Sequence, residues 1–186
     1  MGKVIVWLLV LALAPITWAG DIEERERVER SRELSQQLQQ QLGAKLMAAM
    51  QAQGPVHAID VCNVEAPGIA ASLSTAGLVD VGRTAIRYRN PSNAPTAEQV
   101  AVMESFAEQI EQDSSVVPER LVTLENGEQH YMRAIVMQPQ CLACHGQSVA
   151  EPIKQAIAEK YPNDQATGFE VGDLRGAFLI KWLSEE

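Results

Sequence analysis

Residues 141–145 read Cys-Leu-Ala-Cys-His, and neither methionine nor histidine occurs anywhere after them. C-x-x-C-H is the spacing of c-type haem attachment. Two thiols three positions apart reach both former vinyl groups of one porphyrin, and the next residue brings an imidazole under the iron. The position of the motif constrains the fold. An early motif followed by a late methionine ligand is impossible in this chain, so a second axial ligand has to come from upstream. The motif implies one covalent haem c held by Cys141, Cys144 and His145, and with it dependence on a cytochrome c maturation machinery.

Two other chemistries share the motif. A thioredoxin-like dithiol follows a strand and opens a helix in a βαβ context, whereas here Gly146 and Gln147 follow and no parallel unit is evident. A structural zinc site needs two further thiols or imidazoles at fitting spacing, and only Cys62, His57 and His130 remain.

The start of the chain fits the oxidising compartment in which haem c is attached. Lys3, the apolar run Val4 to Ala14 and the small-residue site Thr17-Trp18-Ala19 read as a secretory signal, 1–19, ahead of a single domain, 20–186. The apolar run is short beside the roughly 20 residues of a membrane span. The expected location is therefore periplasmic, with membrane attachment only if the signal stays uncleaved. Its removal takes Lys3 alone among charged residues and moves the formal charge from −9 to −10. So acidic a chain repels nucleic acid and anionic lipid. The cysteine count is three, which leaves Cys62 unpaired once the motif thiols are consumed.

Periodicity predicts an α+β domain. A long helix over 21–53, capped by Asp21 with Glu24, carries an apolar stripe at Leu34, Leu38, Leu42, Leu46 and Met50. A second helix bears Val56, Ile59, Cys62 and Ala66 on one face and is interrupted at Pro67-Gly68, where Pro67 can open a further short helix through Thr75. Val81 to Tyr88 reads as a strand with Arg83 and Arg87 on one side and Arg89 continuing that face. Thr96 caps a helix to about Gln112. Arg120–Leu124 and Gln129–Met137 flank Asn126-Gly127, which suits a type I′ hairpin turn. Pro152 opens a helix with Ile153, Ile157 and Tyr161. Tyr161 to Gly176 reads as a long loop, and Ala177 to Leu183 as the last strand. These make a PAS-like antiparallel sheet of about four to five strands with a long N-terminal helix and flanking helices.

For the second axial position the upstream candidates are Cys62, His57, His130, Met132, Met137 and Met103. Methionines are usually core filler. His130 beside a turn reads as a solvated strand end, and His57 as a surface residue. Cys62 on an apolar helix face is by default a small core hydrophobe, but a thiol packed against ferric iron deprotonates and ligates. Arg83, Arg87, Arg89 and Arg175 are candidates to pair with the two haem propionates, and Tyr161 to donate to one of them.

Several separated motifs resemble one known family. They are Ile59-Asp60-Val61-Cys62-Asn63, Arg89-Asn90-Pro91-Ser92-Asn93-Ala94-Pro95, Cys141 to Gly146, Tyr161-Pro162-Asn163-Asp164-Gln165-Ala166-Thr167-Gly168, and Gly172-Asp173-Leu174-Arg175-Gly176. The family comprises extracytoplasmic single-haem c-type proteins with a PAS-like fold, known as a domain of unknown function that also forms the sensor region of membrane-bound histidine kinases. The resemblance covers essentially the whole mature chain. It implies His145 as proximal and Cys62 as distal ligand to the iron. No kinase or transducer domain accompanies the motifs in this sequence.

Three functions share the attachment chemistry. A redox- or gas-sensing module requires a displaceable sixth ligand or a repacking of the Cys62 helix on reduction. An electron carrier requires both axial positions closed. An enzyme of the peroxidase or nitrogen-oxide class requires distal acid–base groups, and the sequence offers only His57, His130 and scattered carboxylates for that role. Fold analogy favours sensing, with electron transfer as the alternative and no enzymatic activity expected. The partner is then a redox or signalling protein that the sequence does not name.

Overall fold

The computed structural model describes residues 17–76 and 78–183. The export-signal reading falls, up to position 16, outside the described residues. Helix α1 spans Thr17–Gln53, so in the unprocessed chain the helix runs through Asp21 and that residue is no cap. Of the expected stripe, Leu34, Leu38 and Leu42 are buried. Ser31 and Ser35 are buried beside them, their hydroxyls donating to the carbonyls of Arg27 and Ser31 one turn back at 2.7 and 2.8 Å. Such back-bonding lets a small polar residue sit inside an apolar contact. Ser31 Oγ also accepts from Trp182 Nε1 at 2.9 Å. Among the described residues no helix is long and apolar enough to cross a membrane.

Pro67 and Gly68 do not interrupt the second helical stretch. It runs as α2 (Pro55–Asp60), a π-helical turn over Val61–Glu65, and α3 (Ala66–Leu73). Pro67 falls in the first turn of α3, where its missing N–H costs little. The π turn carries Cys62 and Asn63. Such one-turn widenings occur frequently at functional sites.

Strands β1 (Val79–Thr84), β2 (Glu119–Thr123), β3 (Gln129–Val136) and β4 (Leu174–Trp182) form one antiparallel sheet in the order β1-β4-β3-β2. The Asn-Gly turn between β2 and β3 differs from the expected type I′. Only Gly127 has a positive φ, +86°, and Gly127 N donates to Leu124 O at 3.0 Å, the pattern of a type I turn closed by a left-handed glycine. One face of the sheet packs Met132, Ala134, Ala177 and Leu179 on helix α4 (Ala97–Gln112) through Val102, Met103, Phe106 and Ile110. The other packs Val79, Val81, Tyr131, Phe178 and Ile180 on Leu34 and Leu38 of α1. Thr96 caps α4 in a reciprocal capping box with Gln99.

β1 ends earlier than its alternation predicts. After Thr84 the chain leaves the sheet, with Ala85 N donating to Asn93 O at 3.1 Å. Arg83 alone of the three arginines therefore lies on the strand, while Arg87 and Arg89 come from the following loop. β4 in turn begins three residues before Ala177, which puts Arg175 on the strand.

Candidate functional site

The site is assembled at the edge of the domain where β3 ends. Met137 N donates to Asp173 O at 2.9 Å and Met137 O accepts from Gly172 N at 3.0 Å, so the exit from β3 is tied to the entry of β4. A 3₁₀ turn over Pro139–Cys141 leads into α5 (Leu142–His145); the turn carries Cys141, and α5 carries Cys144 and His145. Cys141 and Cys144 are free, partly exposed thiols. Burial pushes the Cys144 thiol up, the charge of Arg89 partly opposing it.

The segment from Tyr161 to Phe169, expected as a long loop, is an ordered strap around α5. It follows α6 (Glu151–Lys160), on which Ile153 and Ile157 pack with Ile59, Val149 and Tyr161. Phe169 N donates to His145 O at 3.0 Å and Gly168 N to Gly146 O at 2.9 Å. Ala166 O lies 2.6 Å from His145 Nδ1. A carbonyl only accepts, so this contact places the ring proton on Nδ1 and leaves Nε2 as the free lone pair. Burial, then the charges of Arg175 and Arg89, push the imidazole down to about 3, so His145 is neutral at any physiological pH. A neutral, oriented imidazole is the form that ligates a metal.

Four arginines converge on this strap in a chain whose formal charge is −9. Arg87 Nε donates to Gln165 O at 3.2 Å and its Nη2 to Thr167 O, with the guanidinium 4.0 Å from the Phe169 ring centroid. Arg175 lies 5.5 Å from the same ring and donates to Arg87 O at 3.1 Å. Its pKa is pushed down to about 10 by burial and by the neighbouring cations. Arg89 is buried against the Asp164 carboxylate, Nε to Oδ1 2.9 Å, and Nη2 also donates to Cys144 O at 2.8 Å. The Arg83 guanidinium makes no hydrogen bond among the described residues, and burial lowers its pKa.

Cys62 joins this cluster from the π turn. Burial pushes its thiol up, while the same three guanidinium groups that act on His145, those of Arg83, Arg89 and Arg175, pull it down. Tyr161 is buried, its phenol raised by burial and lowered in turn by a hydrogen bond from Asn63. The structure thus brings Cys62, Arg83, Arg87, Arg89, Cys141, Cys144, His145, Tyr161 and Arg175 to one end of the domain.

Of the other axial candidates, Met137 alone packs against the motif, and the rest belong to other parts of the fold. Met103 and Met132 fill the α4 face of the sheet. His130, expected as a solvated strand end, is buried at 4 % exposure on that face, with Nδ1 3.3 Å from Gln99 Nε2 and Nε2 without a hydrogen-bond partner. His57 is exposed beside Asp60, as its sequence position suggests. Met137 packs on Ala166 and Phe169, with Cys141 and Leu142 against the same cluster. Asp164, Ala166 and Phe169 are the functional positions that periodicity did not single out. Asp164 carried one readable signal, since an Asx side chain caps the backbone two residues on, and here its Oδ1 accepts from Ala166 N at 3.1 Å.

Fold and site together define a PAS-like α+β domain with a C-x-x-C-H motif strapped at the end of its two inner strands and flanked by arginines. The chain belongs to the Tll0287-like family, whose model matches residues 22–182. It is similar to a solved structure, the cyanobacterial heme-protein Tll0287, at 29 % identity and a TM-score of 0.58, with 89 % of this chain and 97 % of that chain covered. No curated protein matches the chain.

Proposed function

We propose that this chain is an extracytoplasmic protein that carries one haem c, joined by thioethers at Cys141 and Cys144, and serves as a redox- or gas-sensing module. His145 would hold the iron through Nε2, and Cys62 would supply the second protein ligand. The observation that carries the reading is the 2.6 Å contact from His145 Nδ1 to Ala166 O, which dedicates Nε2 to a ligand. The donor set fits the group. A porphyrin supplies four of the iron's ligands, so two protein ligands suffice, and among the described residues no cluster of three or more His, Cys, Asp or Glu exists to hold a bare metal ion. The arginines around the site match two propionates and, beside Cys62, a thiolate. The similarity to a heme-protein agrees with this reading.

An anionic sulfur ligand favours the ferric state and lowers the potential. Cys62 sits on a π turn, a helical register with an adjacent α-helical alternative, which gives the ligand an element that can move with redox state. An enzyme is disfavoured because, of the acid–base histidines the sequence offered, His57 is exposed beside Asp60 and His130 is buried against Gln99. The test is the optical spectrum of the matured protein, ferric and reduced, with and without carbon monoxide. Wild type should bind carbon monoxide on reduction, and Cys62→Ala should change the ferric spectrum. Binding confined to Cys62→Ala would replace sensing by electron transfer, and identical spectra for the two proteins would remove Cys62 as a ligand.

A further inference from the structure

Resting on the reading of His145 as an axial ligand, we propose that Arg89 and Asp164 are positioning residues: a buried charge pair that sets the donor strength of His145 and hence the reduction potential. Arg89 was expected to pair with a propionate. Its guanidinium is instead turned into the strap. Nε donates to Asp164 Oδ1 at 2.9 Å, and Nη2 donates to Cys144 O at 2.8 Å and to Asp164 Oδ2 and Ala166 O at 3.3 Å. Both side chains are nearly withdrawn from water, at 8 and 10 % exposure.

The junction is Ala166 O. One carbonyl oxygen accepts from the Arg89 cation and from His145 Nδ1. A carbonyl already polarised by a cation is a weaker acceptor, so it draws the Nδ1 proton less and leaves the imidazole a weaker donor to the metal. The same guanidinium holds Cys144 O, so the carbonyl of the residue before His145 is fixed to the same brace. Asp164 balances the charge and orients Ala166 through its backbone N–H. The Arg83 guanidinium, with no hydrogen bond among the described residues, is left for a carboxylate or thiolate from outside the strap.

Removal of the two partners has opposite consequences. Arg89→Gln deletes a cation, frees Ala166 O to accept more strongly from His145, and leaves Asp164 negative; all three favour the ferric state. Asp164→Asn leaves the Arg89 cation uncompensated and favours the ferrous state. The experiment is spectroelectrochemical titration of the matured wild type, Arg89→Gln, Arg89→Lys and Asp164→Asn, with haem content and thermal unfolding recorded for each. The ferric–ferrous equilibrium should move about tenfold or more, about 59 mV for one electron, downward in Arg89→Gln and upward in Asp164→Asn. Arg89→Lys, which keeps the charge, should stay within that step. Shifts of the same sign, or none, overturn the proposal, because a purely structural brace moves both variants alike. Should Arg89→Gln fail to mature, an upward shift in Asp164→Asn with an unmoved Arg89→Lys supports it and any other pairing overturns it. His145→Ala separates the two levels: if it leaves spectrum and potential unchanged, the ligand assignment falls and this inference with it.

Discussion

Gly146 has no room for a side chain. A Cβ there would lie 2.7 Å from Leu142 O and 3.2 Å from Leu142 Cα, at the point where α5 stops and the strap bonds to it. Relief would pull His145 away from Ala166 O or open the last turn of α5. Gly146→Ala should cost about 1–3 kcal/mol, read as a lower urea midpoint, and should reduce haem incorporation in the same preparation. An unchanged midpoint would show that the turn yields freely. At this scale Cys141, Cys144 and His145 were legible because the motif they form lies in adjacent positions. Cys62 was legible as an unpaired thiol and through the resemblance. Asp164 and Ala166 were not, since one acts through a partner 75 residues away and the other through a backbone carbonyl that any residue supplies.

Elements were readable where one period ran uninterrupted. α4 begins and ends where its cap and apolar spacing put it, and the β2–β3 hairpin sits around Asn126-Gly127. The π turn was hidden because it adds no residue type of its own; it is a widened register of an ordinary helical sequence. The short end of β1 was hidden because Ala85 to Arg89 alternates like a strand but finds its hydrogen bonds off the sheet, Ala85 N with Asn93 O, and the Arg87 and Tyr88 carbonyls with Arg175 and Gln165. His130 joins two elements, β3 and α4, through Gln99. The groups facing it are Glu128 at 3.6 Å, Glu98 and Lys181. Burial, followed by Lys181, lowers its pKa below the ordinary 6.5. The unfolded chain therefore binds more protons than the folded one below that value, so stability is full above about pH 6.5 and falls as the solution is acidified. His130→Gln should flatten the fall, measured as the difference between urea midpoints at neutral and mildly acidic pH. An unaltered difference would assign the acid sensitivity to other groups.

The whole molecule is a sheet closed on both faces, by α4 on one and by α1 on the other. That second face depends on how closely α1 approaches, which Ser31 and Ser35 permit and Leu38, at 1 % exposure, fills. Leu38→Ala should cost about 2–5 kcal/mol in urea unfolding; a loss below 1 kcal/mol would mean that α1 is not integral to the core. By itself the sequence determined the α+β class, the long N-terminal helix, the hairpin and the C-x-x-C-H spacing, because each is encoded by residues a few positions apart. Only the tertiary structure decided that Arg83, Arg87, Arg89 and Arg175 divide into a buried brace, a ring-stacked pair and one guanidinium without a hydrogen bond among the described residues. It likewise decided that His130 is a core residue and that the strap fixes the tautomer of His145. Those roles come from contacts between segments distant along the chain, and local periodicity carries no information about which distant groups meet.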